Sequence, residues 1–295
     1  MRVLEGANKV LFRTVMNITK TFLLICGIMI TMSTAAVSIS DAGETIIIGG
    51  SGSGLGVMKI LGKAFEKKHP GTIVEVLPSL GTVGGIKGVA KGALDIGISA
   101  RPFKGDEISF GLSALEYAKT PLVIVTRKDT MVSELKTEDL VKIYDGRVLT
   151  WADGKRIRPV LRPEEEIDTQ ILKEWTPEIK KALETAMSRR GMLIAITDQD
   201  ATDTIEKTPG SFGFSTLAQV ITEKLPLKIL PLNGIYPTAG TLSNGSYKLK
   251  KSLLLVARSK TSVKVGNFLE FVRSPAGTKI LEESGYILTL QKSRQ

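Results

Sequence analysis

The sequence predicts an α/β protein, because short strands and helices alternate along its 295 residues. Three β-branched or apolar runs, at residues 44–48, 72–77 and 95–99, each end at a glycine, serine or proline turn. Amphipathic stretches at residues 57–68 and 84–91 separate these runs and have helical spacing. Such alternation is typical of a mostly parallel sheet that is covered by helices on both faces.

The same alternation continues to the end of the chain. We predict further strands at 122–127, 158–161 and 250–257, and further helices at 137–144, 178–190 and 263–282. Another helix is predicted to open at Asp203, because an N-cap residue is followed there by Glu206 three positions later. The order of elements predicts two lobes, with residues 44–127 and 248–295 in lobe 1 and residues 128–247 in lobe 2. Two crossings between lobes make a hinge, with a ligand cleft between the halves.

The composition argues against several functional classes. Aromatic residues make up only 5% of the chain, which argues against a stacking surface for single-stranded nucleic acid. Cys26 is the single cysteine and His69 the single histidine. His69 is predicted to be a solvated residue at the end of a helix, and no second histidine is available for a Ser-His-Asp centre, a Cys-His centre or a His-rich metal site. We therefore predict no cofactor, no metal and no enzyme, with a hydrolase as the remaining enzymatic alternative. The net charge of +10 is spread along the chain, which favours a small anionic ligand over nucleic acid.

The N-terminal segment has the pattern of a secretory signal. Lys20 precedes the apolar run 22–30, and small residues follow it up to Ala36. We predict a cleaved signal peptide over residues 1–40. A membrane anchor is the alternative, but the apolar run is shorter than the roughly 20 residues that span a bilayer.

Two glycine-containing loops lie where a strand gives way to a helix. Free N–H groups at a helix start carry partial positive charge and suit an anion, and glycine lets the backbone approach it closely. No dinucleotide or P-loop pattern fits either loop, and a bare glycine turn is the alternative interpretation. The candidate ligand-binding residues in these loops are Ser51, Gly52, Ser53, Gly54, Thr82 and Gly84.

Two arginines follow predicted strands and are candidate counter-charges. Arg101 follows the strand that ends at Ser99, and Arg162 follows the strand that ends at Leu161. The planar guanidinium of arginine can bind an oxyanion through two parallel hydrogen bonds. A surface salt bridge is the alternative for each arginine taken alone.

These motifs, in this order, resemble those of the phosphate-binding proteins of ABC transporters, which belong to the type II periplasmic-binding-protein superfamily. The resemblance runs from about residue 45 to residue 290 and includes the glycine loops and the segments 95–102, 143–147, 209–214 and 268–285. It implies a two-lobed periplasmic monomer that closes on phosphate or a similar anion, delivers it to a membrane permease and has no catalytic activity. It also implies ligand contacts from the loop amides and from Ser99, Arg101, Arg162 and Thr169.

The chain departs from this family just after Arg162. Relatives carry a Ser-Gly-Thr turn there that holds the oxyanion, whereas residues 164–169 of this chain read Glu-Glu-Glu-Ile-Asp-Thr. Carboxylates beside a desolvated phosphate would repel it by on the order of several kcal/mol. Ala100 also stands where well-known phosphate binders have an acidic acceptor. A sensory or interaction protein of the same fold, with an altered or lost ligand, is therefore the alternative function.

Overall fold

The computed structural model describes residues 44–289, and ten strands in this range form one continuous hydrogen-bonded array, in which two sheets share one long strand. The strands are β1 (Glu44–Gly50), β2 (Thr72–Val76), β3 (Ile96–Ser99), β4 (Leu112–Arg127), β5 (Arg158–Leu161), β6 (Leu193–Ile194), β7 (Ser211–Thr216), β8 (Leu227–Leu230), β9 (Lys250–Arg258) and β10 (Ile287–Leu288). Their order is β2-β1-β3-β9-β4-β7-β5-β6, and β8 and β10 pair with β4 off this path.

Ten α-helices cover the sheet within the same described range. They are α1 (Leu55–Lys68), α2 (Gly81–Lys91), α3 (Thr137–Tyr144), α4 (Ile167–Trp175), α5 (Pro177–Ser188), α6 (Asp198–Lys207), α7 (Leu217–Thr222), α8 (Ala239–Ser243), α9 (Val263–Arg273) and α10 (Pro275–Glu283). The alternation of strands and helices that the sequence predicts is thus confirmed.

The two ends of the sheet are parallel, and its middle is antiparallel. Strands β2, β1 and β3 run parallel at one end, as do β7, β5 and β6 at the other. Strands β4 and β9 connect these ends and are antiparallel to their neighbours. Each parallel end follows from strand–helix–strand units, because parallel neighbours need a crossover connection.

Strand β4 belongs to both halves of the molecule. Its residues 112–121 pair with β9, whereas residues 122–127 pair with β7 and β8. The Leu122 N–H donates to the Leu249 carbonyl at 3.0 Å, at the point where the partners change. The chain thus passes from the first half, lobe 1, to the second, lobe 2, near residue 122 and returns near residue 249. The predicted boundaries after residues 127 and 247 stay predictions, since one strand serves both sheets.

Each lobe has its own apolar core. Phe65, Phe268 and Tyr286 are buried in lobe 1, where the rings of Phe65 and Phe268 meet edge to face with centroids 5.3 Å apart. Tyr144 and Phe212 are buried in lobe 2. The lobes touch each other along the cleft, so that the described residues make one compact unit.

The helix predicted to open at Asp203 begins earlier than the sequence suggested. Thr197 is its N-cap, with its Oγ1 accepting from the Asp200 N–H at 3.0 Å. In return, the Asp200 carboxylate accepts from the Thr197 N–H at 3.0 Å. Asp203 therefore lies inside α6, and the prediction was wrong because Thr197 with Asp200 has the same capping pattern as Asp203 with Glu206, and the earlier pair caps the helix.

Two further predictions concern membranes and metals. Among residues 44–289, none of the helices combines the length and the apolar character needed to cross a bilayer. The same range contains no group of three or more His, Cys, Asp or Glu side chains placed to hold a metal ion. The predicted signal peptide, residues 1–40, lies outside the described residues.

Candidate ligand-binding cleft

The glycine loop after β1 forms one wall of the cleft, in lobe 1. Gly50 has a φ of 138°, and a Cβ there would lie 2.2 Å from the Ile98 carbonyl oxygen, so only glycine lets β1 approach β3 this closely. The Ser51 N–H then donates to the same carbonyl at 2.9 Å. A short 3-10 turn over Gly52–Gly54 leads directly into α1, so the predicted loop does precede a helix.

Arg162 faces this wall from lobe 2, immediately after β5. Its side chain is buried, with the whole residue 7% exposed. Nη2 donates to the Ile196 carbonyl at 3.0 Å and to Glu166 at 3.2 Å. Nε and Nη1 have no hydrogen-bond partner among the described residues. Buried donors without partners are costly, so two nitrogens of this guanidinium are left to bind a ligand oxygen.

Lys251 completes the cationic part of the cleft, and the sequence analysis did not identify it. It lies on β9 opposite Thr120 of β4 and is 2% exposed. Its Nζ is 2.7 Å from Ser53 Oγ, 2.7 Å from Asp168 Oδ1 and 3.0 Å from Asp198 Oδ1. Burial favours the neutral amine, but the two carboxylates outweigh it, and the pKa of Lys251 is raised.

Asp198, the first residue of α6, brings a carboxylate from lobe 2 onto the glycine loop. Its Oδ1 accepts from Ser53 Oγ at 2.8 Å and lies 3.6 Å from Arg162 Nη1. Burial opposes its ionisation, but the charges of Lys251 and Arg162, with hydrogen bonds from Lys251 and Ser53, lower the pKa of Asp198 to about 2. Asp198 is therefore ionised at neutral pH.

The residues after Arg162 add two more carboxylates. Asp168, in the first turn of α4, is buried against Lys251. Glu166 is partly exposed and pairs with Arg162, while burial raises its pKa. Arg162, Lys251, Asp168 and Asp198 are all buried, and their two positive and two negative charges cancel. The departure seen in the sequence thus lies inside the cleft.

The smaller predicted site residues mostly hold the walls in place. Thr169 Oγ1 donates to the Arg162 carbonyl at 3.0 Å and so fixes the backbone that carries the guanidinium. Thr82 Oγ1 accepts from the Ala100 N–H at 3.0 Å, and Ser99 Oγ accepts from the Arg101 N–H at 3.2 Å. These hydroxyls are engaged within their own lobe.

Arg101 forms a salt bridge, the alternative that the sequence left open, and Gly84 packs within its own helix region. The guanidinium of Arg101 makes two parallel hydrogen bonds to Glu107, at 2.7 and 2.9 Å, and these bonds help to lower the pKa of that carboxyl. Gly84 packs against Leu80, whose Cβ would lie 2.8 Å from a Cβ at position 84. A ligand contact from either residue stays a prediction, and for Arg101 it would require the Glu107 pair to open.

A second polar contact also joins the lobes beside Ser53. Gln199 of α6 donates through Nε2 to the Gly52 carbonyl at 3.1 Å and to Glu223 at 2.8 Å. On the other side, Tyr286 donates to the Ser53 carbonyl at 3.2 Å. Burial raises the pKa of Glu223. The glycine loop is therefore held by both lobes.

A signal for Lys251 was present in the sequence. Side chains alternate along a strand, and Lys251 shares one face of β9 with Leu253, Leu255 and Ala257, which are all in the lobe 1 core. A lysine in phase with three core residues is buried and needs a partner. Asp198 had a weaker signal, the capping pattern of Thr197 and Asp200.

Comparison with known proteins agrees with this architecture. A family model described as the PBP superfamily domain matches residues 36–276. A phosphate-binding protein PstS of Borreliella burgdorferi is 26% identical over 255 residues, covering 84% of this chain and 91% of its own length. The PstS of Staphylococcus haemolyticus is 25% identical over 266 residues, covering 83% and 81%.

Solved structures show the same fold. A Clostridium perfringens substrate-binding protein with bound phosphate has a TM-score of 0.70 and 22% identity, covering 84% of this chain and all (100%) of its own. The periplasmic molybdate-binding protein of Azotobacter vinelandii has a TM-score of 0.60 and 20% identity, covering 83% and 100%. The predicted two-lobed fold, with helices on parallel sheets and two connections, is confirmed.

Proposed function

The chain belongs to the PBP superfamily, and on that premise we propose that it captures phosphate, or a small oxyanion like it, for an ABC-type permease. The resemblance to phosphate-binding proteins implies capture of a solute without catalysis. Both relatives described above carry the name phosphate-binding protein, and they match 84% and 83% of the chain. One structural neighbour holds phosphate and another is named for molybdate, so oxyanions are the ligand class to test.

The observation that carries the proposal is the state of Arg162. Its Nε and Nη1 are buried and have no hydrogen-bond partner among the described residues. These two nitrogens donate from different edges of the planar guanidinium, so each can give a hydrogen bond to a ligand oxygen. The ligand would restore the hydrogen bonds that the folded chain leaves open.

The rest of the cleft supplies what an oxyanion also needs. Ser53 offers a hydroxyl, and the start of α1 offers backbone N–H groups with partial positive charge. Lys251 supplies a second full positive charge next to Ser53. Because these groups lie on two lobes, closure around the ligand brings them together.

We propose further that the chain acts in the periplasm, as the capturing component of a transport system. Residues 1–40 would direct the chain to the periplasm and be removed, and the remaining protein would act there as a monomer. It would hand the anion to a membrane permease and catalyse no reaction. The relatives named PstS support this setting, since capture precedes transport in such a system.

Calorimetric titration of the purified protein with inorganic phosphate tests the proposal, with sulfate and molybdate as competing ligands. Arg162→Lys keeps the positive charge but loses the separate Nε and Nη1 donors, so we expect the affinity for phosphate to fall about tenfold to a hundredfold. Arg158→Lys, at the other end of β5, is the matched control, because Arg158 is exposed and donates to the Pro209 carbonyl. The Arg158→Lys variant should bind phosphate with the affinity of the wild type.

Arg101→Lys separates the two arginines that the sequence proposed. Since Arg101 is paired with Glu107, we expect its replacement to leave phosphate affinity unchanged. A loss of phosphate affinity equal to that of Arg162→Lys would show that Arg101 also contacts the ligand. If the wild type bound none of the three anions, the proposed function would be wrong and the sensory or interaction role would stand instead.

A further inference from the structure

The carboxylate of Asp198 joins the two lobes inside the cleft. It projects from α6 in lobe 2 and contacts Ser53 and Lys251 in lobe 1 at 2.8 and 3.0 Å. It also packs on Gly52, where a Cβ would lie 2.8 Å from Asp198 Oδ2. This close approach depends on the absence of a side chain at position 52.

This carboxylate is not needed to cap its own helix. An acidic residue in the first turn commonly serves the free N–H groups there. In α6, however, Thr197 and Asp200 already form a reciprocal capping box with two hydrogen bonds of 3.0 Å. Asp198 instead points to the donors of the other lobe, so its position requires a different explanation.

Its surroundings are those of a bound oxyanion. The carboxylate lies among a serine hydroxyl, a lysine ammonium and an arginine guanidinium, at the loop that opens α1. We propose that Asp198 is an internal ligand, which occupies the anion position of the cleft before an oxyanion binds and must be displaced when one does. We call the contacts of the Asp198 carboxylate with Ser53 and Lys251 the latch between the lobes. The identity of the displacing anion rests on the proposed function, whereas the existence of the latch does not.

Charge explains why displacement is required. The four buried groups, Arg162, Lys251, Asp168 and Asp198, already cancel one another. An oxyanion added to this neutral cluster would be an uncompensated charge in a site of low dielectric. With Asp198 withdrawn, two buried cations, Arg162 and Lys251, face the ligand against one buried carboxylate, Asp168, while the partly exposed Glu166 pairs with Arg162. The apparent affinity for the oxyanion is then the intrinsic affinity multiplied by the fraction of protein in which Asp198 is withdrawn.

Asp198→Asn tests the competition by titration with inorganic phosphate. The amide keeps the shape but removes the competing charge, so we expect phosphate to bind at least about tenfold tighter than to the wild type. Asp203→Asn, an exposed carboxylate on the same helix that pairs with Lys207, is the matched control and should bind as the wild type does. Unchanged or weaker binding by Asp198→Asn would overturn the proposal.

A second measurement needs no ligand. Spin labels at Lys279→Cys in lobe 1 and Lys207→Cys in lobe 2, both exposed, report the distance between lobes, with Cys26 changed to serine. In phosphate-free protein, Asp198→Asn and Asp198→Ser should lengthen or broaden the distances relative to the wild type and to Asp203→Asn. Identical distributions in all variants would refute the latch. A shift without any phosphate binding would uphold the latch and reject the proposed function.

Discussion

Nζ of Lys251 lies 2.7 Å from Oδ1 of Asp168, so a buried ion pair joins β9 of lobe 1 to α4 of lobe 2. Lys251 is opposite Thr120, next to the position where β4 changes from one sheet to the other. The pair therefore sits at the hinge as well as in the cleft. Its electrostatics act on both stability and ligand binding.

Lys251→Met should strongly destabilise the protein. Methionine fills much of the same volume, but Asp168 and Asp198 would keep their buried charges without the ammonium between them. Removing one member of a buried ion pair costs about 3–5 kcal/mol. The free energy of unfolding, measured by urea denaturation at pH 7, should fall by about that amount.

Lys207→Met is the matched control for this measurement. Lys207 is exposed and pairs only with Asp203 on the surface of α6. Exposed ion pairs contribute little, so the change should stay within about 0.5 kcal/mol. Equal losses in both variants would show that Lys251 does not neutralise the buried carboxylates.

The ionised form of Asp198 should make stability depend on pH. Although burial opposes ionisation, its pKa is lowered to about 2 by Lys251 and Arg162, below the value near 4 of an unfolded chain. The unfolded state then binds the proton more readily, so the stabilisation is complete above about pH 4 and disappears as the pH falls through about 2. The contribution is on the order of 2 kcal/mol.

Urea denaturation of the wild type and of Asp198→Asn between pH 7 and pH 2.5 measures this contribution. Other carboxylates titrate in both proteins and cancel in the comparison. The wild type should be the more stable at pH 7, and its advantage should shrink below pH 4. An advantage that stays constant with pH would contradict the assignment of the lowered pKa to Asp198.

Gly50→Ala should disrupt the glycine loop. The added Cβ would lie 2.2 Å from the backbone oxygen of Ile98, and the φ of 138° is itself unfavourable for alanine. Backbone cannot rotate away as a side chain can, so we expect a loss of about 3 kcal/mol or more in the free energy of unfolding. Gly111→Ala is the control, with a φ of 67° and nothing within 4 Å of a Cβ. It should cost only about 1–2 kcal/mol.

Gly52→Ala should open the cleft while leaving every charge in place. Its Cβ would lie 2.4 Å from Gln199 Oε1 and 2.8 Å from Asp198, so α6 must move away. Hydrogen exchange in phosphate-free protein should accelerate at residues 52–58 and 197–200. Gly240→Ala, where the nearest atom is 3.6 Å away, should leave both segments unchanged. Protection equal to the wild type in Gly52→Ala would mean that the lobes do not touch there in solution.

Local patterns in the sequence were sufficient to predict the glycine loop that forms one wall of the cleft. A strand that ends in Gly and Ser and runs into an amphipathic helix specifies the loop around Ser53, because turn and helix depend on neighbouring residues. Arg162 was found for the same reason, as a charged residue directly after an apolar strand. Both features are local and survive folding unchanged.

Partners distant in sequence could not be read in this way. Whether Lys251 meets solvent or Asp168 depends on which helix lies over β9, and that helix is 83 residues earlier in the chain. Arg101 shows the converse, since its guanidinium was a candidate for binding an oxyanion, with a salt bridge as the alternative, and Glu107 six residues later occupies it. A residue type indicates what a group can bind, whereas the fold selects among the partners that compete for it.

The sharing of β4 between two sheets has a consequence for the lobes as building blocks. A fragment that ends near residue 121 would lack the half of β4 that carries β7 and β8. The complementary fragment would keep residues 122–127 with β7 and β8 but would present β9 without its partner residues 112–121, and such a bare edge invites pairing with other chains and aggregation. Dividing the chain within β4 therefore exposes a strand edge, so we expect neither lobe to fold when it is expressed, exchanged or grafted by itself.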